Sequence, residues 1–478
     1  MPATKEIATP RGRKTLVSII TPILLAVIIW LIPAPEGLST QAWHMLAIFV
    51  SVICAILLQP LPSGAIMIIG LCVAIFTKTL PQSKALAGFS SGTVWLIFSA
   101  YVLSIGFVQT GLGKRIAYRM LSWFGGSSLG IAYALGIADL VVAPATPSVT
   151  ARSGGIILPI ARSINETLDS RPGPTGKKIG DFLIMSCFQV TPVTGAMFLT
   201  GMAANPLAAS LAAKTIDVDI SWGTWALAGL LPGLLCFLLT PLLAYFLIKP
   251  EMKNTPQGRQ MGHSGLEEMG PMSTSEKLLA LIFVLGLLGW GTSILTKLSS
   301  TSVGLGIVAL LFIFKVIEWK AVLSDRAAWD TVIWFGAIIS LATGLSDLGF
   351  IEWMTGEFGT AFSGWSGIAT FVILGLIYIY IHYSFATASG HVAAMYPMFI
   401  ATAIAAGAPP MLVAIGFGIF GNLMWGLTEY GGGPGPIYFA QGFYERPRFY
   451  KLNLAIVSMN VLIMFTVGLA WWKVIGLW

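Results

Sequence analysis

Charge is what this sequence lacks. Only 10% of its 478 residues are Asp, Glu, Lys or Arg, against about 25% in a soluble domain, too few to coat a water-facing surface. Cysteine is almost as scarce. The 4 present, Cys54, Cys72, Cys187 and Cys236, lie in apolar runs without metal-ligand spacing, so a disulfide scaffold is disfavoured and the thiols read as packing residues. No HExxH motif occurs, which argues against a membrane-embedded metallohydrolase. The net charge of +7 is scattered over short loops, which disfavours a nucleic-acid module and suits membrane topology. What the chain has in plenty is apolar residues, 56% of the total, with mean hydropathy +0.83. That is the composition of an integral membrane protein.

At about 20 residues per span, the sequence predicts an all-α polytopic protein of about eleven transmembrane helices. The candidate spans are 15–33, 42–60, 63–78, 92–110, 181–208, 222–248, 276–296, 302–317, 330–348, 399–428 and 452–475. Lys5, Arg11, Arg13 and Lys14 precede the first span and place an N-terminus of 1–14 in the cytoplasm. That 19-residue apolar stretch is longer than a signal-peptide core, so it reads as a span. Further basic clusters, Lys114 to Arg119, Arg162 to Lys178, Lys249 to Arg259, Lys315 to Arg326 and Arg446 to Lys451, alternate with the acidic Glu36, Asp217, Asp219, Asp347, Glu352 and Glu357. Lys78, Lys84, Lys214, Lys297 and Lys473 break the pattern. The alternation requires 128–163 and 366–398 to enter and leave on one side, as re-entrant hairpins. The polar stretch 251–275 reads as a flexible cytoplasmic linker between a first half, 15–250, and a second, 276–478.

The halves repeat. Thr93-Val94-Trp95 with Gly106 and Gly111 matches Thr331-Val332-Ile333 with Gly344 and Gly349 at an offset of 238 residues. Ser148-Val149-Thr150 with Pro159 finds a counterpart in Thr387-Ala388-Ser389 with Pro397, at offsets of 239 and 238. By the basic-loop pattern the two copies run in opposite directions. Inverted repeats with broken helices at corresponding positions point to a secondary transporter with a site near the bilayer midplane.

Pro144 and Pro147 break the helix beside the first triplet and free backbone groups that need partners in lipid. Hydroxyls, N–H groups and helix N-termini gathered there would suit an anion, although Ser and Thr are also common polar glue between membrane helices. From Phe358 to Thr428 there is no formal charge, yet His382 and His391 occur; His391 follows the second triplet as Arg152 follows the first. Arg152 can donate a fork of hydrogen bonds to a substrate carboxylate, with a helix-end snorkel as its other reading. His391 can donate one bond or serve as a satisfied interior histidine. Each half also has a second break, at Thr191-Pro192 and Thr200 to Pro206, and at Thr428 to Pro436.

Pro147 to Arg152, His382 to His391 and Leu427 to Pro434 carry a resemblance that extends over the membrane region. The chain resembles the divalent anion/sodium symporter family, in the branch of bacterial citrate/succinate and tartrate/succinate antiporters and plastid 2-oxoglutarate/malate translocators. The resemblance implies an eleven-span homodimer with two hairpins and an elevator motion. Ser148, Val149 and Thr150 would form one substrate-holding tip, and Thr387, Ala388 and Ser389 the other. Thr200 to Asn205 and Gly431 to Gly435, including Gly433 and Pro434, would form the broken-helix loops. Val149 and Ala388 replace the asparagines of the tip signature, and Gly435 replaces an asparagine in the second loop. A sodium ion near Ser148, Thr150 and Asn205 is therefore in doubt, since Val and Ala offer no oxygen. The expected function is exchange of C4 or C5 dicarboxylates, with tricarboxylates open, in a bacterial inner membrane and without a cofactor. Sodium-coupled symport on the same fold is the alternative, and a channel is the more distant one.

Overall fold

The computed structural model describes residues 11–361 and 364–478; residues 1–10 of the expected cytoplasmic N-terminus lie outside them. After a first helix, Arg11–Leu31, the helices form two sets in the same order. The first set is Thr40–Leu58, Ser63–Phe76, the short Gln82–Ala87, Gly92–Thr110, Leu112–Phe124, a hairpin, a broken helix and the long Trp222–Ile248. The second is Thr274–Gly291, Ser300–Ile313, the short Trp319–Ser324, Arg326–Asp347, Phe350–Ala361, a hairpin, a broken helix and Arg446–Ile463, which continues through a wide turn into Leu469–Val474. Thr93 and Thr331 fall on corresponding helices. With each hairpin returning to its own side, five crossings separate Thr40 from Ile248: 40–58, 63–76, 92–110, the broken helix and 222–248. An odd number makes the second set enter from the opposite face, so the halves are inverted.

Serine begins seven of these helices. Ser39, Ser91, Ser127, Ser221, Ser273, Ser299 and Ser366 each accept a hydrogen bond from a backbone N–H in the first turn, supplying partners where lipid and the helix itself supply none. Among the described residues, ten helices are long and apolar enough to cross a membrane, and Leu16–Leu31, Ser63–Phe76 and Ser300–Ile313 are shorter apolar ones. Leu230, Leu231, Leu234 and Leu238 on one long helix, and Leu281, Val284, Leu285 and Leu288 on another, stand exposed, as side chains facing lipid do.

Several boundaries differ from the sequence reading. The first hairpin is Ser128–Val142, a tight turn at Ala143–Ala145, a tip, a wide π-type turn at Thr150–Ile157 and Leu158–Thr167. The second is Gly367–Tyr380, Ile381–Ser384, a tip and Ala388–Ala405, so it extends past 398. The expected span 399–428 does not exist as one helix. Gly407 at φ +84° followed by Pro409 and Pro410 ends the hairpin limb, and Pro410–Leu423 with Met424–Leu427 is the first part of a broken helix completed by Pro434–Phe439. The span expected at 181–208 is likewise broken, into Gly180–Ala196 and Ala204–Thr215.

The 251–275 segment is not a flexible linker. It holds the helix Pro256–Met269, whose glycines let it lie backbone to backbone on Leu112–Phe124. A Cβ on Gly258 would come 2.6 Å from the Gly125 carbonyl, and one on Gly262 would collide with the Ser122 backbone nitrogen. Met252 and Glu251 donate to the carbonyls of Lys178 and Lys177 at 3.0 Å, and Ser128 donates to that of Lys253. Arg115 closes the far end, reaching Glu276 at 2.6 Å and the Gly270 carbonyl at 2.8 Å.

Candidate functional site

The two hairpin tips and the two broken-helix loops meet around one cavity of about 180 Å³. Hairpin residues Pro147, Ser148, Val149 and Thr150 line one side, and Thr387, Ala388 and Ser389 another. Met202 and Ala203 come from the first loop, and Trp425, Gly432 and Gly433 from the second. Tyr101, Thr331 and Trp334, on the paired repeat helices Gly92–Thr110 and Arg326–Asp347, complete the lining. Tyr101 sits midway along its helix, which sets the tips near the middle of the membrane-spanning layer.

The cavity wall carries hydroxyls and backbone but no charged side chain. Thr387 caps Ala388–Ala405, its hydroxyl accepting from Gly390 N at 3.0 Å. Ser148 accepts from Ala151 N at 3.2 Å. Both tips therefore present the first turn of a helix, where unpaired N–H groups and the positive end of the backbone dipole favour an anion. Thr150 packs against Gly433 so closely that any side chain at 433 would overlap its hydroxyl. The Gly432 backbone lies on the ring of Trp425, 2.8 Å from where its Cβ would be. Glycine at these positions lets the second loop touch both the first tip and the aromatic floor.

Arg152 is elsewhere. Its side chain is fully buried in the first hairpin and paired with Asp139 on the opposite limb, Nε to Oδ1 3.0 Å. Nη1 donates to the carbonyls of Thr146 in the tip and Gly201 in the loop, at 2.9 and 2.8 Å, and Nη2 to Thr194 at 3.3 Å. Thr194 also donates to Asp139. The guanidinium is a clasp that fastens both limbs of the hairpin to the broken helix, so the expected fork toward a substrate carboxylate is corrected. Asp139 was missed by sequence reading, although a lone acid in an apolar helix 13 residues before a lone Arg, across a Pro-broken turn, was a readable signal.

His391 is also outside the cavity lining. It is buried, with Nδ1 2.9 Å from Nδ1 of His382, whose Nε2 reaches the Gly431 carbonyl at 3.0 Å. Its ring packs on Phe385 and Tyr378, with centroids at 4.3 and 4.5 Å. Tyr378 and His391 stand 239 residues beyond Asp139 and Arg152. The second hairpin is thus fastened to its loop carbonyl at the same place, by paired imidazoles where the first uses an ion pair.

Of the remaining expected residues, Thr200 donates to the Pro144 carbonyl at 2.6 Å and accepts from Trp222 at 2.9 Å, holding the loop against the first hairpin. Asn205 donates to the carbonyls of Gly195 and Phe198, and its Oδ1 accepts from Asn422 at 2.6 Å. Asn422, unforeseen from sequence, joins the two broken helices. Pro434 opens the short helix Pro434–Phe439 beyond the cavity. The structure thus gathers Ser148, Val149, Thr150, Thr387, Ala388, Ser389 and Gly433 on the cavity and places Arg152, His391, Thr200, Asn205 and Pro434 behind it. Of the residues near which a sodium ion was considered, Ser148 and Thr150 line the cavity, while the Oδ1 of Asn205 is already engaged by Asn422.

A second cavity of about 290 Å³ adjoins the first. Tyr101 and Ser148 line both, and Ser104, Gln109, Ser324 and Asp325 continue it outward.

The family model for the sodium:sulfate symporter transmembrane region matches residues 13–478. Dicarboxylate transporter 1, chloroplastic, of Spinacia oleracea is 42% identical over 464 residues, 95% of this chain and 81% of its own. Inner membrane protein YbhI of Escherichia coli (strain K12) is 37% identical over 476 residues, 98% of this chain and 99% of its own. Among solved structures, MtrF of Neisseria gonorrhoeae, from a class of antimetabolite efflux pumps, superposes with a TM-score of 0.56 at 14% identity, covering 96% of this chain and 94% of its own. At that identity the likeness is one of fold.

Proposed function

The chain belongs to the sodium:sulfate symporter transmembrane family, the divalent-anion group its motifs resemble, and from that premise we propose that it exchanges C4 or C5 dicarboxylates across a bacterial inner membrane by alternating access. It is a multi-pass membrane transporter, not an enzyme. The observation that carries the reading is the meeting of both hydroxyl-bearing tips on one small cavity. A dianion between Ser148–Thr150 and Thr387–Ser389 would find hydroxyl and N–H donors at each end, with two helix N-termini pointing at its charge.

Exchange is favoured over sodium symport by the clasp. Asp139, two backbone carbonyls and a hydroxyl form an oxygen set of the kind that holds a sodium ion, and Arg152 fills it with a tethered cation. Because the guanidinium cannot be lost and recovered each cycle, the first hairpin needs no gradient to complete it. No transport step is therefore assigned to sodium.

An elevator motion is supported by the bonding pattern. The hairpins and broken helices are tied together by Arg152, by Asn205–Asn422 and by Gln189 donating to the Gly426 carbonyl at 2.8 Å. Outside that group the two halves are tied to one another by Gly88 N donating to Ser340 at 2.9 Å and by Thr301 donating to the Gly92 carbonyl at 2.7 Å. Between the groups lies an apolar slot, with Leu46, Phe49 and Leu345 facing Phe385, Met395 and Met398. Apolar surfaces slide with few directional bonds to break. On the charge-derived topology the vestibule beyond Tyr101 opens toward the cytoplasm. The homodimer implied by the family resemblance belongs to the same reading, and the mass of the protein in lipid discs tests it.

Proteoliposomes test the transport mode. Uptake of a labelled dicarboxylate should require dicarboxylate inside and ignore a sodium gradient. Sodium-driven uptake into empty vesicles would replace exchange with symport.

A further inference from the structure

The cavity has two kinds of wall. The hairpin and loop side is built mostly from Ser, Thr, Ala, Gly, Val and Pro, while the opposite side is the bulky Tyr101 and Trp334 with Thr331 between them. Tyr101 alone of these three also lines the adjoining vestibule, so it stands where the two spaces meet. It comes from one repeat and Thr331 from the other, with their hydroxyl oxygens 3.2 Å apart.

The hydrogen-bond geometry gives that tyrosine a free choice of acceptor. Thr331 Oγ1 lies 2.7 Å from the Ala327 carbonyl of its own helix. A hydroxyl has one proton. Whether Thr331 gives its proton to that carbonyl or to the Tyr101 oxygen, the Tyr101 hydroxyl keeps its own proton for the strongest acceptor within reach, which a carboxylate arriving in the cavity would be. Aiming that proton at the carboxylate needs only rotation about the phenolic C–O bond.

We propose that Tyr101 is the specificity-determining residue of the carrier: its ring sets the length of dicarboxylate that fits between the tips and the doorway, and its hydroxyl binds the carboxylate at the doorway end. This rests on the dicarboxylate reading and adds to it which side chain measures the substrate. A molecule longer than the cavity must pass the Tyr101 ring into the vestibule, which is roomy enough to hold the excess once the ring is trimmed. Pocket shape of this kind is worth about 10- to 200-fold in discrimination per methylene.

The test is counterflow in proteoliposomes with a series of straight-chain C4, C5 and C6 dicarboxylates, on the wild type, Tyr101→Phe and Tyr101→Leu. Tyr101→Phe keeps the ring, so it should preserve the ranking by length while raising KM for the preferred substrate about tenfold, with kcat less affected. Tyr101→Leu should raise exchange of the C6 compound relative to C4 by at least tenfold. An unchanged KM in Tyr101→Phe overturns the hydroxyl's role, and an unchanged ranking in an active Tyr101→Leu overturns the length gauge. If Tyr101→Leu is inactive, Tyr101→Met removes the same ring, and an unchanged ranking there overturns the gauge equally. A wild type that exchanges none of the series refutes the dicarboxylate reading itself, which separates the two failures.

Discussion

Removing both partners of the Arg152–Asp139 clasp should destabilise the protein by much less than the two single removals added together. The pair is almost wholly inaccessible, with side-chain exposures of 0% and 2%, and Arg152 donates in addition to Thr146, Gly201 and Thr194. Breaking a buried pair from one side leaves an uncompensated charge and costs about 3–5 kcal/mol. Arg152→Gln strands Asp139 with only Thr194, and Asp139→Asn strands the guanidinium among neutral acceptors. The double variant carries no stranded charge, so its loss should fall well below the sum of the single losses, leaving a coupling energy of at least about 1 kcal/mol in a double-mutant cycle. Thermal unfolding in detergent, followed by intrinsic fluorescence, reads the stability, and equilibrium binding of a labelled dicarboxylate reads the site. Because the pair stands behind the cavity, the double variant should still bind. Wild-type stability in Arg152→Gln together with abolished binding would refute this reasoning and return the arginine to the substrate.

Other consequences concern the site and its supports. Thr150→Val and Ser389→Ala each delete a tip hydroxyl; a hydrogen bond to a charged group is worth about 1.5–3 kcal/mol, so KM should rise about tenfold or more while expression is kept, and unchanged transport kinetics would remove these residues from the site. Gly433→Ala places a methyl group onto the Thr150 hydroxyl, and overpacking of about 1–3 kcal/mol should prise the second loop from the first tip; exchange should fall sharply, and a fully active variant would show the contact to be dispensable. Gly262→Ala should destabilise the protein by a similar amount, because the added methyl meets the Ser122 backbone. A true flexible linker would tolerate it, so an unshifted unfolding temperature would count against the packed helix.

Much of this architecture was legible in the sequence because membrane helices leave strong marks. Pro144 and Pro147 break an apolar run where backbone groups must find protein partners, whereas Pro192, expected to mark a break, stays inside Gly180–Ala196, and the Thr93 and Thr331 motifs fall on corresponding helices of the two sets. The parity of basic loops demanded hairpins where hairpins occur. What was not legible is where side chains point. Arg152 and His391 follow the tip triplets by position, but the return limb turns them inward to Asp139 and His382. No spacing rule reveals that, since an arginine two residues past a tip can face the cavity or the hairpin interior. The glycines of 256–269 look like flexibility in composition, whereas Gly258, Gly262 and Gly265 serve close approach to Leu112–Phe124. The break at Gly407 to Pro410 was passed over because the apolar run on either side is continuous.

The most direct test is an experimental structure with a bound C4 or C5 dicarboxylate. The account predicts ligand density spanning from Ser148–Thr150 to Thr387–Ser389, with Arg152 still held by Asp139. Density that instead joins the Arg152 guanidinium, or lies outside the space between the two tips, would contradict it.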